Sequence, residues 1–166
     1  MTTNKPPKTK KGADDFQTPI GVFKPIMEYI PKEYLIWEPA MGKGNIVQEF
    51  TDNGYNIFGT DIMTGHNFLE YEPEQFDITI TNPPFSIKDK WIKRCYELDK
   101  PWVLLLPLTA LEGQSRQTLY RKYGVNVFLP FKRINYHTPS GGGKGSWFPS
   151  CILTWKLDVP KNLMFI

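Results

Sequence analysis

Phe76-Asp77-Ile78-Thr79-Ile80-Thr81-Asn82-Pro83-Pro84-Phe85 is the stretch on which the reading of this chain turns. Phe76–Thr81 has the short, β-branched, apolar character of a buried strand. The strand must stop there, because two successive prolines lack the N–H that a ladder needs. Its carboxyl end delivers an amide side chain, Asn82, then a stiff backbone, then a flat ring. That sequence of groups suits one chemical task. An amine attached to a purine is a poor nucleophile, since its lone pair is drawn into the ring. Two acceptors for its N–H hydrogens, the Asn82 side-chain oxygen and the Pro83 carbonyl, would help free that pair. Pro83 and Pro84 would hold both acceptors in place beforehand. Phe85 would offer a face on which an extruded base can stack. An ordinary Asn-Pro turn before a core phenylalanine reads the same way in isolation, so the flanking sequence decides.

Upstream, Tyr34–Trp37 reads as a buried strand and Asn45–Asp52 as a helix. Between them lies Glu38-Pro39-Ala40-Met41-Gly42-Lys43-Gly44, a turn whose glycines let backbone approach a ligand closely. A second strand, Tyr55–Thr60, ends at Asp61, an acid placed to bond ribose hydroxyls. A tight strand-to-helix turn would account for the glycines alone. The Lys-Ser/Thr pair of a P-loop is missing. A helix is expected over Thr18–Ile30, with Thr18 as N-cap and Pro19 as first helical residue, and Pro25 as a disturbance inside it. Residues 62–75 read as irregular. Downstream come a helix over Lys88–Leu98, a strand over Trp102–Leu106, a helix over 113–122 and a strand over Val125–Leu129. Lys132–Tyr136 and Cys151–Lys156 then read as the two arms of a closing antiparallel hairpin with a Gly-rich loop. Alternating strands and helices imply an α/β, doubly wound sheet, which binds ligands at the carboxyl ends of its strands.

The composition agrees. A chain of 166 residues, 40% hydrophobic and 22% charged, has room for one well-filled domain. No run approaches the roughly 18 apolar residues of a membrane span, and the first residues lack a signal-peptide core, so a cytoplasmic protein is expected. Cys95 and Cys151 lack metal-ligand spacing, and no metal is implied. The net charge of +3 is unevenly spread. Lys5, Lys8, Lys10 and Lys11 lie in the first twelve residues, which hold no acid, while the other 16 basic residues face 17 acidic ones. Residues 1–12 are therefore expected to be a disordered basic tail ahead of a domain over 13–166. The tail could touch phosphate or simply be solvated.

These motifs, in this order, resemble those of the amino-type, S-adenosylmethionine-dependent DNA methyltransferases that modify adenine N6, in particular the small phage and prophage enzymes. The resemblance covers nearly the whole chain after the tail. Asp14-Asp15-Phe16-Gln17-Thr18-Pro19 resembles the family's N-terminal cofactor motif, which implies a role for Phe16, Thr18 and Pro19 at the methionine end. Glu38, Pro39, Gly42 and Gly44 match its Gly-rich motif, and Asp61 and Ile62 its ribose-binding strand end. Asn67-Phe68 resembles a segment that usually reads Asp-Phe and holds the cofactor adenine. Asn82, Pro83, Pro84 and Phe85 match the catalytic motif. The segment from Arg133 to Tyr136, with Phe148-Pro149-Ser150, resembles the last conserved stretch, whose loop helps hold a flipped base. The implied fold is a Rossmann-like class I sheet of seven strands with a closing antiparallel hairpin.

Specific members of that family carry a separate target-recognition domain or a large insertion, for which this chain has no room. DNA contact is therefore expected from the tail, from the loops at 107–117 and 137–149, and in particular from Lys132, Arg133, His137, Lys144 and Trp147. DNA is the expected substrate. RNA or a protein amide would suit the same planar-amine site. A cofactor-binding phage accessory protein without catalysis is the alternative from a different class.

Overall fold

The computed structural model describes Asp14, residues 16–137, Ser146 and residues 148–166. The expected tail, Lys144 and Trp147 lie outside the described residues.

Seven strands form one sheet: β1 (Leu35–Glu38), β2 (Asn56–Gly59), β3 (Ile78–Thr81), β4 (Trp102–Pro107), β5 (Asn126–Leu129), β6 (Ser150–Trp155) and β7 (Leu163–Phe165). Their order is β2-β1-β3-β4-β6-β5-β7. β2, β1, β3 and β4 run parallel, with Ile36 opposite both Ile57 and Ile78. β6 inserts antiparallel between β4 and β5. Three helices connect the parallel strands: α1 (Asn45–Asp52), α2 (Lys88–Glu97) and α3 (Gln114–Tyr123).

Strand alternation gives the sheet two apolar faces. In β4, Val103 and Leu105 face Phe50 of α1 and Ile26, while Trp102, Leu104 and Leu106 face Trp91, Ile92 and Cys95 of α2. Continuously apolar strands are what a sheet covered on both sides requires.

Three expectations change. The helix over Thr18–Ile30 shrinks to one 3-10 segment, Lys24–Tyr29. Gly21 turns left-handed at φ +96°, and Pro25 gives the first turn a residue without an N–H. The Glu49 carboxylate, 3% exposed, sits beneath the amides of Gly21, Phe23 and Lys24 without hydrogen bonds of normal geometry. Burial raises its pKa despite those amides. Second, Lys132–Tyr136 is not a strand, and the hairpin arm paired with β6 is β5. Both edges of β6 are taken, so that segment buries Ile134 and Tyr136 without joining the sheet, and His137 after it pairs with Gln17 in an isolated bridge. Third, β7 extends the sheet beyond β5 in parallel, where no strand was expected.

Candidate active site

A cleft of about 590 Å³ opens over the carboxyl ends of β1, β2 and β3. Its size suits a cofactor-sized ligand. Of the residues expected to bind cofactor, Phe16, Thr18, Pro39, Gly42, Asp61, Ile62, Asn67 and Phe68 lie on its wall. Pro19, Glu38 and Gly44 do not.

The turn after β1 is shaped by its neighbours. Gly42 sits at φ +52°, and a Cβ there would stand 3.0 Å from the Gln17 side chain, whose Oε1 accepts from Lys43 N. Asp61 binds the turn directly: Oδ2 accepts from Gly42 N at 2.9 Å and Oδ1 from Met63 N at 2.9 Å. Each carboxylate oxygen keeps a further lone pair for a hydroxyl. Gly59, at the end of β2, leaves room for Met41; a Cβ there would lie 2.4 Å from the Met41 sulfur.

Glu38 is fully buried behind this turn, with Oε1 accepting from Ala40 N at 2.8 Å. Burial pushes its pKa up to about 8, against the lowering effect of Thr81 and Ala40. Thr81 Oγ1 lies close, yet neither it nor Glu38 Oε2 makes a hydrogen bond of normal geometry. Glu38 thus shapes the turn from behind, and its burial favours the protonated acid.

The outer wall is apolar. Ile62 and Met63 are 67% and 89% exposed at its lip. Phe68 is buried and stacks on Trp91, with centroids 4.1 Å apart. Asn67 Oδ1 accepts from Leu69 N at 3.1 Å, which leaves the amide nitrogen of this cleft-wall residue to donate elsewhere. His66 lines the cleft with its ring edge-on to Tyr71.

At the far end stand Asn82 and Pro84; Pro83 and Phe85 lie outside the wall. The Asn82 amide is asymmetric. Nδ2 donates to the Phe16 carbonyl at 2.9 Å, while Oδ1, buried, has no hydrogen-bond partner among the described residues. Phe85 belongs to a ring cluster. It stacks on Phe16 at 5.6 Å and meets Tyr136 and Phe148 edge-on at 6.0 and 5.4 Å. One face of the ring expected to receive a base is therefore covered by Phe16. Tyr136, its hydroxyl 2.8 Å from Ser150 Oγ, is held with its pKa raised by burial.

Of the expected nucleic-acid residues, the three that are described sit apart from the cleft wall. Lys132, Arg133 and His137 are exposed, and Arg133 donates to Ser146 O at 3.2 Å. Asp14, Gln17, Asn45 and Trp91 line the cleft without having been singled out individually. Their signal was their place inside or beside the quoted motifs, not their residue type. Among the described residues no helix is long and apolar enough to cross a membrane, and no group of three His, Cys, Asp or Glu residues is placed to hold a metal.

Solved structures share this architecture. A modification subunit of a "putative type I restriction enzyme" from Vibrio vulnificus YJ016 matches 87% of the chain at 14% identity, TM-score 0.52. This chain spans 45% of that subunit's length. A "putative hemolysin" from Lactococcus lactis matches 85% of the chain and 86% of its own length, at 14% identity and TM-score 0.53. No protein-family model matches the chain. No curated protein matches it. The fold is the Rossmann-like, class I methyltransferase sheet, with its antiparallel hairpin near the end.

Proposed function

We propose that this chain is an S-adenosylmethionine-dependent methyltransferase whose acceptor is the N6 amine of adenine in DNA. The observation that carries the reading is the Asn82 amide: its nitrogen is committed to Phe16, and its buried oxygen is left as an uncommitted acceptor on a residue of the cleft wall. A buried acceptor without a partner costs about 1–3 kcal/mol. That cost is recovered when an amine N–H enters.

The residues fit the cofactor. Asp61 offers acceptors for ribose hydroxyls, Ile62 and Met63 an apolar lip for a purine, and Asn67 a donor for a ring nitrogen. When bound, the cofactor supplies an electrophilic methyl on a sulfonium. Asn82 Oδ1 and the Pro83 carbonyl would accept the two amine hydrogens and leave the lone pair directed at that methyl. Positioning in a closed cleft supplies most of the rate. The proton leaves the product amine afterwards, so the site needs no strong base. The fold's occurrence in a restriction-enzyme modification subunit is in keeping with a nucleic-acid acceptor.

One observation favours a second reading, a silent cofactor-binding accessory protein: Phe16 covers the face of Phe85. Labelled methyl transfer to DNA, RNA and protein, run side by side, decides. Incorporation into DNA supports the proposal. Incorporation only into RNA or protein redirects the substrate, and tight cofactor binding without transfer establishes the accessory reading.

A further inference from the structure

The two ends of the Asn82 amide are chemically opposite, and nothing in its own loop decides which end points where. The decision comes from 66 residues upstream, where the Phe16 carbonyl accepts from Asn82 Nδ2. A carbonyl can only accept, so the nitrogen must lie there and the oxygen must take the other side. The segment carrying that carbonyl is anchored at three points. The Asp14 carboxylate accepts from Ser86 N at 3.0 Å and from Ser86 Oγ, just beyond the catalytic motif. Gln17 and His137 exchange two main-chain bonds, at 2.9 and 3.1 Å. Asn45 Nδ2 donates to Thr18 O at 2.9 Å.

We propose that Asp14 and Phe16 are positioning residues for methyl transfer: the Phe16 carbonyl turns the Asn82 amide so that its oxygen is the free acceptor, and Asp14 ties the catalytic loop to that carbonyl through Ser86. This rests on the reading of Asn82 as the acceptor for the target amine. It carries a specific consequence. Position 82 requires an amide, and a carboxylate is no substitute. A carboxylate would set oxygen against the Phe16 carbonyl oxygen. It would work only after taking up a proton, donating it to Phe16 and keeping its other oxygen as acceptor. The charged and titratable groups around that position are Asp14, Asp61 and His66 on the cleft, Glu38 behind Thr81, and Lys88, whose Nζ donates to Phe85 O at 3.4 Å.

The first measurement needs neither substrate nor cofactor. In the full chain carrying Asn82→Asp, the introduced carboxyl is followed by carbon NMR with labelled aspartate. It should titrate well above the ordinary value of about 4. It should stay raised when Asp14→Asn is added, since that change removes the neighbouring charge but keeps an acceptor for Ser86. An ordinary titration, or a return to it with Asp14→Asn, overturns the proposal. The second measurement is methyl transfer at saturating cofactor between pH about 5.5 and 8. Asn82→Asp should lose roughly tenfold or more of its rate as pH rises, with cofactor affinity unchanged, while wild type shows no such fall. A flat profile at wild-type rate overturns it. Asp14→Asn should keep more of the wild-type kcat than Asp14→Ala, and equal losses overturn the role of Asp14. If wild type transfers methyl to no acceptor, the functional reading fails, and the titration still decides the positioning.

Discussion

Residues 38–68 supply most of the cofactor half of the cleft from one continuous stretch, a strand, a turn, a helix and a second strand. The transfer half is gathered from afar: Asn82 and Phe85 from the loop after β3, Phe16 from the start of the described chain, Tyr136 and Phe148 from between β5 and β6. In the first half contacts such as the Asp61 grip on the amides of Gly42 and Met63 stay within that one stretch. In the second, the orientation of one amide depends on a carbonyl in a different segment. Local construction makes a half that tolerates change elsewhere. Assembled construction makes one that fails when any contributor moves.

Substitutions should therefore separate the halves. The largest effect is expected from Asn82→Ala, which removes the acceptor. The rate of transfer should fall about a thousandfold, with cofactor affinity within about twofold of wild type. Paired turnover assays and calorimetry check this, and a matching loss of cofactor affinity would merge the two halves.

Next comes Glu38. Burial pushes its pKa up to about 8 in the fold, from 4.5 for an ordinary glutamate. The folded state therefore holds a proton that the unfolded chain releases, and stability declines as pH rises from about 4.5 to 8. Glu38→Gln keeps the acceptor for Ala40 N and cannot ionise. The variant should be about 4 kcal/mol more stable than wild type at pH 8 and nearly equal to it at pH 4.5, by chemical denaturation. Comparison with wild type cancels the similar, upward-shifted contribution of Glu49. An equal pH dependence in both proteins would place an ionised Glu38 in the fold.

Asp61→Ala should weaken cofactor binding by about 2 kcal/mol and reduce the cofactor-induced rise in Tm. The rate at saturating cofactor should change far less. The smallest effect is expected from Phe85→Ala, about 1 kcal/mol in transfer, at the low end for base stacking because Phe16 already covers one face. Phe85→Tyr should retain most of the rate, and Tm recorded in parallel separates lost stacking from lost packing of the ring cluster.

The same contrast explains what the sequence revealed. α1 matched its expected bounds, and β1 to β5 and α2 differed only at their ends, because the strands are short apolar runs and the helices carry a regular amphipathic spacing. The Gly-rich turn and Asp61 were legible for the same reason: their spacing along the chain is their geometry. Lys132–Tyr136 was misread because its alternating Ile134 and Tyr136 are buried without a strand partner, a fact set by β6 having both edges filled. The expected helix from Thr18 carried Gly21 and Pro25, whose backbone limits outweighed the apolar pattern. Glu38 read as a cofactor ligand because sequence shows a residue's type and place, whereas its full burial depends on packing around β1. The link between Asn82 and Phe16 had no local signal at all, since it joins two segments that only the folded sheet brings together.

The central claim is tested most directly by incubating unmethylated DNA with the protein and S-adenosylmethionine, digesting it to nucleosides and analysing them by mass spectrometry. The account predicts N6-methyldeoxyadenosine from wild type and none above background from Asn82→Ala at equal cofactor occupancy. Methylated DNA formed equally well by Asn82→Ala, or cofactor bound by wild type with no methylated adenine in the digest, would contradict it.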